Sequence, residues 1–267
     1  MNCFWNIEID TFDSSKNYLI KNIIYNSIAF VLPRSILNFL GSLNGLEFLR
    51  DWLFDRKKVL KPIRLITWNN LQFYFRAPLQ ILRKAKINGI ESSLTKSIIR
   101  LINKNSNVID IGSNYGFITL ACSNFVRNGK GKVFSFECDV NCYKNLESSI
   151  KRNAFDNIEL FNAFVGNKNT PIIKTVDSLI HGHCKKIDLI KIDTDGTDLE
   201  CLEGCEKIIK DSDPIIVIEI NNNFNQIVGY LLKIRYNFFY DQHLREIDIT
   251  SKNIIPNLFC SRYSLKK

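Results

Sequence analysis

From about residue 95 onward, short apolar runs alternate with stretches of helical rhythm. VIDI (108–111), KVFSFE (132–137), IELFNAFV (158–165), IDLIKID (187–193) and PIIVIEI (214–220) have the length and β-branched character of strands buried on both faces. Between them, CYKNLESSIKRN (142–153) and DLECLEGCEKIIK (198–210) carry helical spacing. Strands alternating with helices predict an α/β fold, a mostly parallel sheet with helices on both faces.

The first ninety residues read differently. Ile20, Ile23, Ile24, Ile28 and Val31 keep an i, i+3, i+4 rhythm up to Pro33, and Ile36, Leu40, Leu43, Leu46 and Leu53 approximately resume it. Two amphipathic helices are expected there, packed on their own core, with a membrane surface or a second subunit as the alternative resting place. After Pro62, IRLITWNNLQFYFR predicts a hairpin turning at Asn69-Asn70. The expected division is an N-terminal helical and hairpin extension, 1–90, ahead of a main domain, 91–267.

Composition narrows the class. At 267 residues, 45% apolar and 24% charged, the chain is long enough for a sizeable core and is neither a disulfide mini-protein nor a disordered tail. The run Ile28 to Leu32 is far short of the roughly 20 residues that a membrane-spanning helix needs. Glu8, Asp10 and Asp13 precede the first lysine, opposite to the charge order of a secretory leader, so a cytoplasmic protein is expected. Eight scattered cysteines then read as reduced core residues, with Cys138 and Cys142, like Cys201 and Cys205, spaced to share a helix face. His181, His183 and Cys184 read as a polar loop, and no metal site is predicted. Residues 56–100 hold eleven basic residues and one acid, Glu91, a block suited to an anionic partner or to a solvated surface.

The chemistry concentrates in VIDIGSNYGFITL (108–120). A strand carrying Asp110 runs into Gly112, Asn114 and Gly116 and then into a helix, a turn in which glycines let backbone approach a ligand and the helix start offers N–H groups. Glu137 ends the next strand, where a carboxylate can accept both ribose hydroxyls, so a nucleoside cofactor is expected. Asn162, closing the third strand's apolar run, is placed within reach of an adenine. Asp193 and Glu219 close two further strands and should approach the carboxyl edge of the sheet, where ligands bind. Two acids there can take a proton from a hydroxyl or hold a divalent cation. Thr197 and Glu200 fit a capping box, with Asp198 in the first helical turn, and all are read as structural. Asp177 is read as a turn or cap.

The pieces VIDIGSNYGFITLA, FSFECD, NAFVG, TVDSL, IDLIKIDTDGTDLECLEG and IVIEI, in this order over residues 87–220, resemble the FkbM-type S-adenosylmethionine-dependent methyltransferases. The resemblance implies a class I, Rossmann-like methyltransferase fold. It also implies S-adenosylmethionine over the first glycine turn, and cofactor-site positions at Asp110, Gly112, Asn114, Gly116 and Glu137. Family members mostly methylate hydroxyls of sugars, polyketides or related small molecules and glycans. Thr194 and Asp195 replace the valine and glutamate of the commonest family form, so Asp195 keeps a carboxylate on a shorter stem. The expected reaction is O-methylation of a sugar or glycan intermediate, with Asp193 and Glu219 as catalytic acids. An RNA methyltransferase using the basic segment and a cofactor-binding scaffold without catalysis are the alternatives. No recognised RNA-binding module supports the first, and the intact acids argue against the second.

Overall fold

The computed structural model describes residues 61–221, 223–250 and 256–265. The chain divides into two compact units, Met1–Lys58 and Val59–Lys267. The helices expected within 16–55 lie outside the described residues. The second unit opens with the expected hairpin, β1 (Ile63–Trp68) paired antiparallel with β2 (Leu71–Arg76). Asn69 and Asn70 both adopt positive φ, 48° and 63°, the left-handed geometry that lets a two-residue turn follow the strand twist. The hairpin belongs to the same compact unit as the sheet, which begins at Val59 rather than near residue 91.

Helices Leu79–Asn88 and Ser92–Leu101 lead into β3 (Val108–Ile111), and β4 (Val133–Glu137) and β5 (Ile158–Asn162) follow. The expected strand 158–165 breaks after Asn162. Its remainder forms β6 (Phe164–Val165), which pairs with β7 (Ile173–Lys174) in a separate small sheet. Then come β8 (Leu189–Ile192), β9 (Ile215–Glu219), β10 (Phe238–Tyr240) and β11 (Asn257–Ser261). The main sheet runs β10-β11-β9-β8-β3-β4-β5, parallel except for β11, which is antiparallel to both neighbours. β3, β4 and β8 are buried throughout, as their apolar runs imply, but β5 is only half-buried because it forms an edge.

Two departures from the sequence reading have local causes. The helix expected over 198–210 is two helices, Asp198–Glu203 and Glu206–Ser212. They break around Gly204, where a Cβ would stand 2.2 Å from the Gly166 carbonyl oxygen. Cys201 and Cys205 therefore lie on separate elements, though both are fully buried. Likewise, Cys138 precedes the helix Val140–Asn153, because Asp139 caps it by accepting the Cys142 N–H at 2.7 Å. Among the described residues, no helix is long and apolar enough to cross a membrane.

The hairpin is held by two kinds of contact. Phe117, at the start of helix Phe117–Val126, meets Trp68, Phe73 and Phe75 edge-on, at centroid distances of 5.5 to 5.6 Å. On its other side, helix Val140–Asn153 presents Asn145, Ser149 and Asn153 at four-residue spacing, one polar stripe on one face. Asn153 accepts from the Tyr74 N–H and donates to the Tyr74 carbonyl, both at 2.7 Å, as a neighbouring strand would. Ser149 accepts from Arg76 N–H at 3.0 Å, and Asn145 accepts from Lys61 N–H at 2.7 Å. Asn153→Ala should remove both bonds to Tyr74 and lower unfolding free energy by about 1 to 3 kcal/mol, measured by urea denaturation.

Candidate functional site

The first turn is shaped by crowding from inside the protein. Gly112 (φ 73°) and Gly116 (φ 86°) are both left-handed, and an added Cβ at Gly112 would stand 1.7 Å from the Asp193 carbonyl oxygen. At Gly116 it would stand 2.1 Å from Leu146 Cδ1. Both glycines thus serve close approach of β3 to β8 and to a helix, whereas the sequence reading assigned them to close approach of a ligand. The N–H groups of Gly112 and Ser113 donate to the Phe136 carbonyl at 3.0 and 3.1 Å, folding the turn over the end of β4. Asn114, with φ 52°, stands exposed at its tip.

Glu137 sits beside this turn at the end of β4. Its Oε2 accepts from Asn114 N–H at 2.6 Å and its Oε1 from Asp139 N–H at 2.7 Å. Burial pushes its pKa up, and those two N–H donors offset part of the shift. Each oxygen keeps a second acceptor position. Asn162 donates to the carbonyls of Glu137 and Cys138, at 2.8 and 3.2 Å, so its amide braces the backbone that presents Glu137.

Beneath the turn lies a charge pair that the sequence reading overlooked. Lys191, in β8, is in register with Asp110 in β3, and both are buried in the middle of the sheet. The Lys191 ammonium lies 3.2 Å from Asp110 Oδ1 and 3.3 Å from Asp193 Oδ2, and donates to the Gly112 carbonyl at 3.1 Å. One buried ammonium thus serves two carboxylates and a backbone carbonyl. Burial alone would lower the Lys191 pKa, but the charges of Asp110, Asp193 and Glu91 outweigh it and raise the pKa above the ordinary lysine range. Asp110 also accepts from the Thr119 hydroxyl at 2.6 Å and is fully covered. Its carboxylate therefore anchors from below the turn at which the cofactor site is expected. A lysine inside an otherwise apolar strand, IDLIKID, was the available signal.

At the same edge, Asp193, Asp195 and Glu219 bring carboxylate oxygens within 4.8 Å of one another. Among the described residues this is the one cluster of three acidic, thiol or imidazole side chains spaced to hold a cation. The Glu219 pKa is raised to about 7, by burial first and then by the Asp193 charge and a hydrogen bond shared with it. Asp198 is fully buried and shapes the intervening loop, accepting from Thr194 N–H (2.8 Å), the Thr194 hydroxyl (3.0 Å) and Gly196 N–H (3.2 Å). The expected capping box does not form, because Asp198 takes the loop donors and the Thr197 hydroxyl turns to Thr194. Asp177 accepts from the N–H groups of Lys207 and Ile208, a capping position as expected.

Numbered along the chain, the seven strands of the main sheet lie in the order 3-2-1-4-5-7-6, with the seventh reversed and a glycine turn after the first. That is the class I methyltransferase fold. Residues 164–247 match the methyltransferase FkbM domain, so the family resemblance is met by a family-level match over less than half of the chain. No curated protein matches the sequence. A methyltransferase FkbM from Methylobacillus flagellatus KT is 19% identical with a TM-score of 0.48, aligned over 60% of this chain and 44% of that one. The T. thermophilus 16S rRNA methyltransferase solved with AdoMet and guanosine is 14% identical with a TM-score of 0.49, over 76% and 51%. An rRNA methylase from Streptococcus thermophilus is 16% identical with a TM-score of 0.44, over 62% and 92%. The chain thus spans less than half the length of the Methylobacillus structure.

Removing the ammonium should be costly. Lys191→Met leaves Asp110 buried without its ion partner and should lower stability by about 3 to 5 kcal/mol in urea unfolding, with part recovered by adding Asp110→Asn. Glu219 should act in the opposite sense. With a folded pKa of about 7 against 4.5 for an ordinary glutamate, the unfolded chain releases this proton first as pH rises. The group therefore costs nothing below pH 4.5, and its destabilisation grows from there through pH 7. Glu219→Gln should raise Tm at pH 8 and leave it unchanged at pH 4, read as the difference from the parent in thermal melts.

Proposed function

We infer that the protein is an S-adenosylmethionine-dependent O-methyltransferase of the FkbM type, acting on a hydroxyl of a sugar, glycan or related small molecule. One observation carries this reading: a glycine turn with a strand-end carboxylate, Glu137, stands on the same sheet edge as the acids Asp193 and Glu219. The residues present fit the cofactor. Gly116 starts a ten-residue helix that no side chain caps, so its N–H groups face the turn unclaimed by a cap. Glu137 holds two backbone donors and can still accept two hydroxyls. Asn114 and Asn162 flank it. When bound, S-adenosylmethionine supplies a methyl group already activated on a sulfonium.

What remains for the protein is to align the acceptor oxygen and remove its proton. Asp193 and Glu219 are the acids placed to take that proton, and the Glu219 pKa, pushed up to about 7, suits the task at neutral pH. The exposed Lys84 and Lys86, on the helix leading towards Glu91, favour an anionic acceptor such as a phosphate-linked glycan carrier. A second reading of the acids rests on their spacing: a divalent cation held by Asp193, Asp195 and Glu219 would instead lower the hydroxyl pKa.

Methyl-labelled cofactor incubated with sugar, glycan-carrier and RNA acceptors tests the reading. Label in the carbohydrate fraction supports it, label in RNA favours the basic segment's alternative partner, and binding without transfer favours a scaffold. Glu137→Ala should weaken cofactor binding roughly 10- to 150-fold by calorimetry. Asp193→Asn should lower turnover about 100-fold with little change in KM for the cofactor. Rate loss on chelation, restored by magnesium, would select the cation variant.

A further inference from the structure

The loop that carries His181 and Lys185 does more than join helix Val176–Leu179 to β8. With helix Glu206–Ser212 it encloses a cavity of about 90 Å³, to which the buried Ile180 and Ile187 supply apolar lining. Hydrogen bonds tie the walls together. Asp177 accepts from Lys207 N–H at 2.8 Å and from Ile208 N–H at 3.0 Å, and Ser212 Oγ accepts from Ile187 N–H at 3.1 Å. A ligand entering here would not have to order those walls, which lowers the cost of binding. The cavity lies at the amino end of β8, whereas the glycine turn and the acids lie at the carboxyl end. A strand of four residues keeps the two apart by roughly 13 Å.

The charged groups around the cavity are Lys185, Lys186 and Lys207 against Asp177 and Asp211. Asp177 is already occupied by its two N–H donors, and Lys186 is paired with Asp188 at 3.3 Å. Among the described residues, neither Lys185 nor Lys207 has a carboxylate in ion-pair contact. The Lys207 ammonium lies 3.4 Å from His181 Nδ1. An ammonium has hydrogens only to give, so Nδ1 is the acceptor and Nε2 carries the ring hydrogen. Two ammonium groups without an acid and one imidazole N–H are therefore donors looking for an anion. Size narrows the choice further. A volume of about 90 Å³ has room for several waters, yet it is far below the roughly 300 Å³ at which pockets for drug-sized ligands begin. A tetrahedral oxyanion meets both conditions.

We propose that this cavity is a binding site for a small oxyanion of the phosphate class, held by Lys185, Lys207 and His181 and separate from the cofactor edge. The three side chains are exposed at their outer parts, so water and salt screen each contact and the expected affinity is on the order of millimolar. Inorganic phosphate is the probe. It is titrated by calorimetry, at ionic strength held constant with sodium chloride, into the parent and into Lys207→Gln, Lys185→Gln and Lys210→Gln. Lys210 is an exposed lysine of the same helix that does not line the cavity, so its variant removes equal charge from outside the site. Melting temperatures in phosphate-free buffer are recorded for each.

Lys207→Gln should bind phosphate roughly tenfold or more weakly, Lys185→Gln should weaken it in the same direction, and Lys210→Gln should stay within about twofold of the parent. A parent without saturable phosphate binding in the millimolar range overturns the site. Equal weakening by Lys210→Gln also overturns it, since that marks general attraction to a basic surface. Saturating S-adenosylhomocysteine should leave phosphate affinity unchanged, and displacement of phosphate by it would put the anion in the cofactor cleft instead. Should Lys207→Gln melt below the assay temperature, Lys185→Gln carries the same reading, and parental affinity in that folded variant sinks the proposal.

Discussion

A single buried ammonium is the constraint on which the site depends. Lys191 sits where β3 and β8 run side by side, its ammonium paired with Asp110 and Asp193 and donating to the Gly112 carbonyl. A lysine in such a place is tolerated only when its partners are in good geometry, because the desolvation of an isolated ion costs several kcal/mol. That requirement works in both directions. The strands must stay in register for the charges to meet, and the turn after β3 must keep its carbonyl pointing down. The missing side chain at Gly112, which lets Asp193's backbone pass close by, belongs to the same arrangement.

From this anchor the edge of the sheet becomes a row of functional positions set by strand order. Asn162 braces Glu137 from β5, Glu137 closes β4, the turn follows β3, Asp193 follows β8 and Glu219 closes β9. A ligand laid along the row would meet an amide, a carboxylate, backbone N–H groups and then a cluster of acids. Burial first, and then the charge of Asp193 so close by, is what pushes the Glu219 pKa up to about 7.

Much of this was legible in the sequence because it is local. The buried strands announce themselves as apolar runs, the Asn-Asn turn marks the hairpin, and Glu137 is found by its place at a strand end. What escaped depends on partners distant in sequence. Lys191 looked like part of a strand until Asp110 was found in register with it, 81 residues away. Cys201 and Cys205 promised one helix, yet the break at Gly204 comes from Gly166, on another element. Thr197 and Glu200 had the spacing of a capping box, but the fully buried Asp198 claimed the nearby donors. The strand β10 went unread because FFY is only three residues, and β11 joins the sheet against the prevailing direction.

The polar stripe Asn145, Ser149, Asn153 also sets an order of events. These side chains occupy the backbone edge of a hairpin that leaves the ribosome long before them, with 73 to 84 residues separating the bonded partners. Contacts that span so much chain form late and slow folding. During synthesis β2 therefore emerges with its edge groups unsatisfied, and it completes its bonding only after the helix that follows Glu137 has been made. The last backbone groups of β2 to find partners are thus those that face the helix directly following the Glu137 strand.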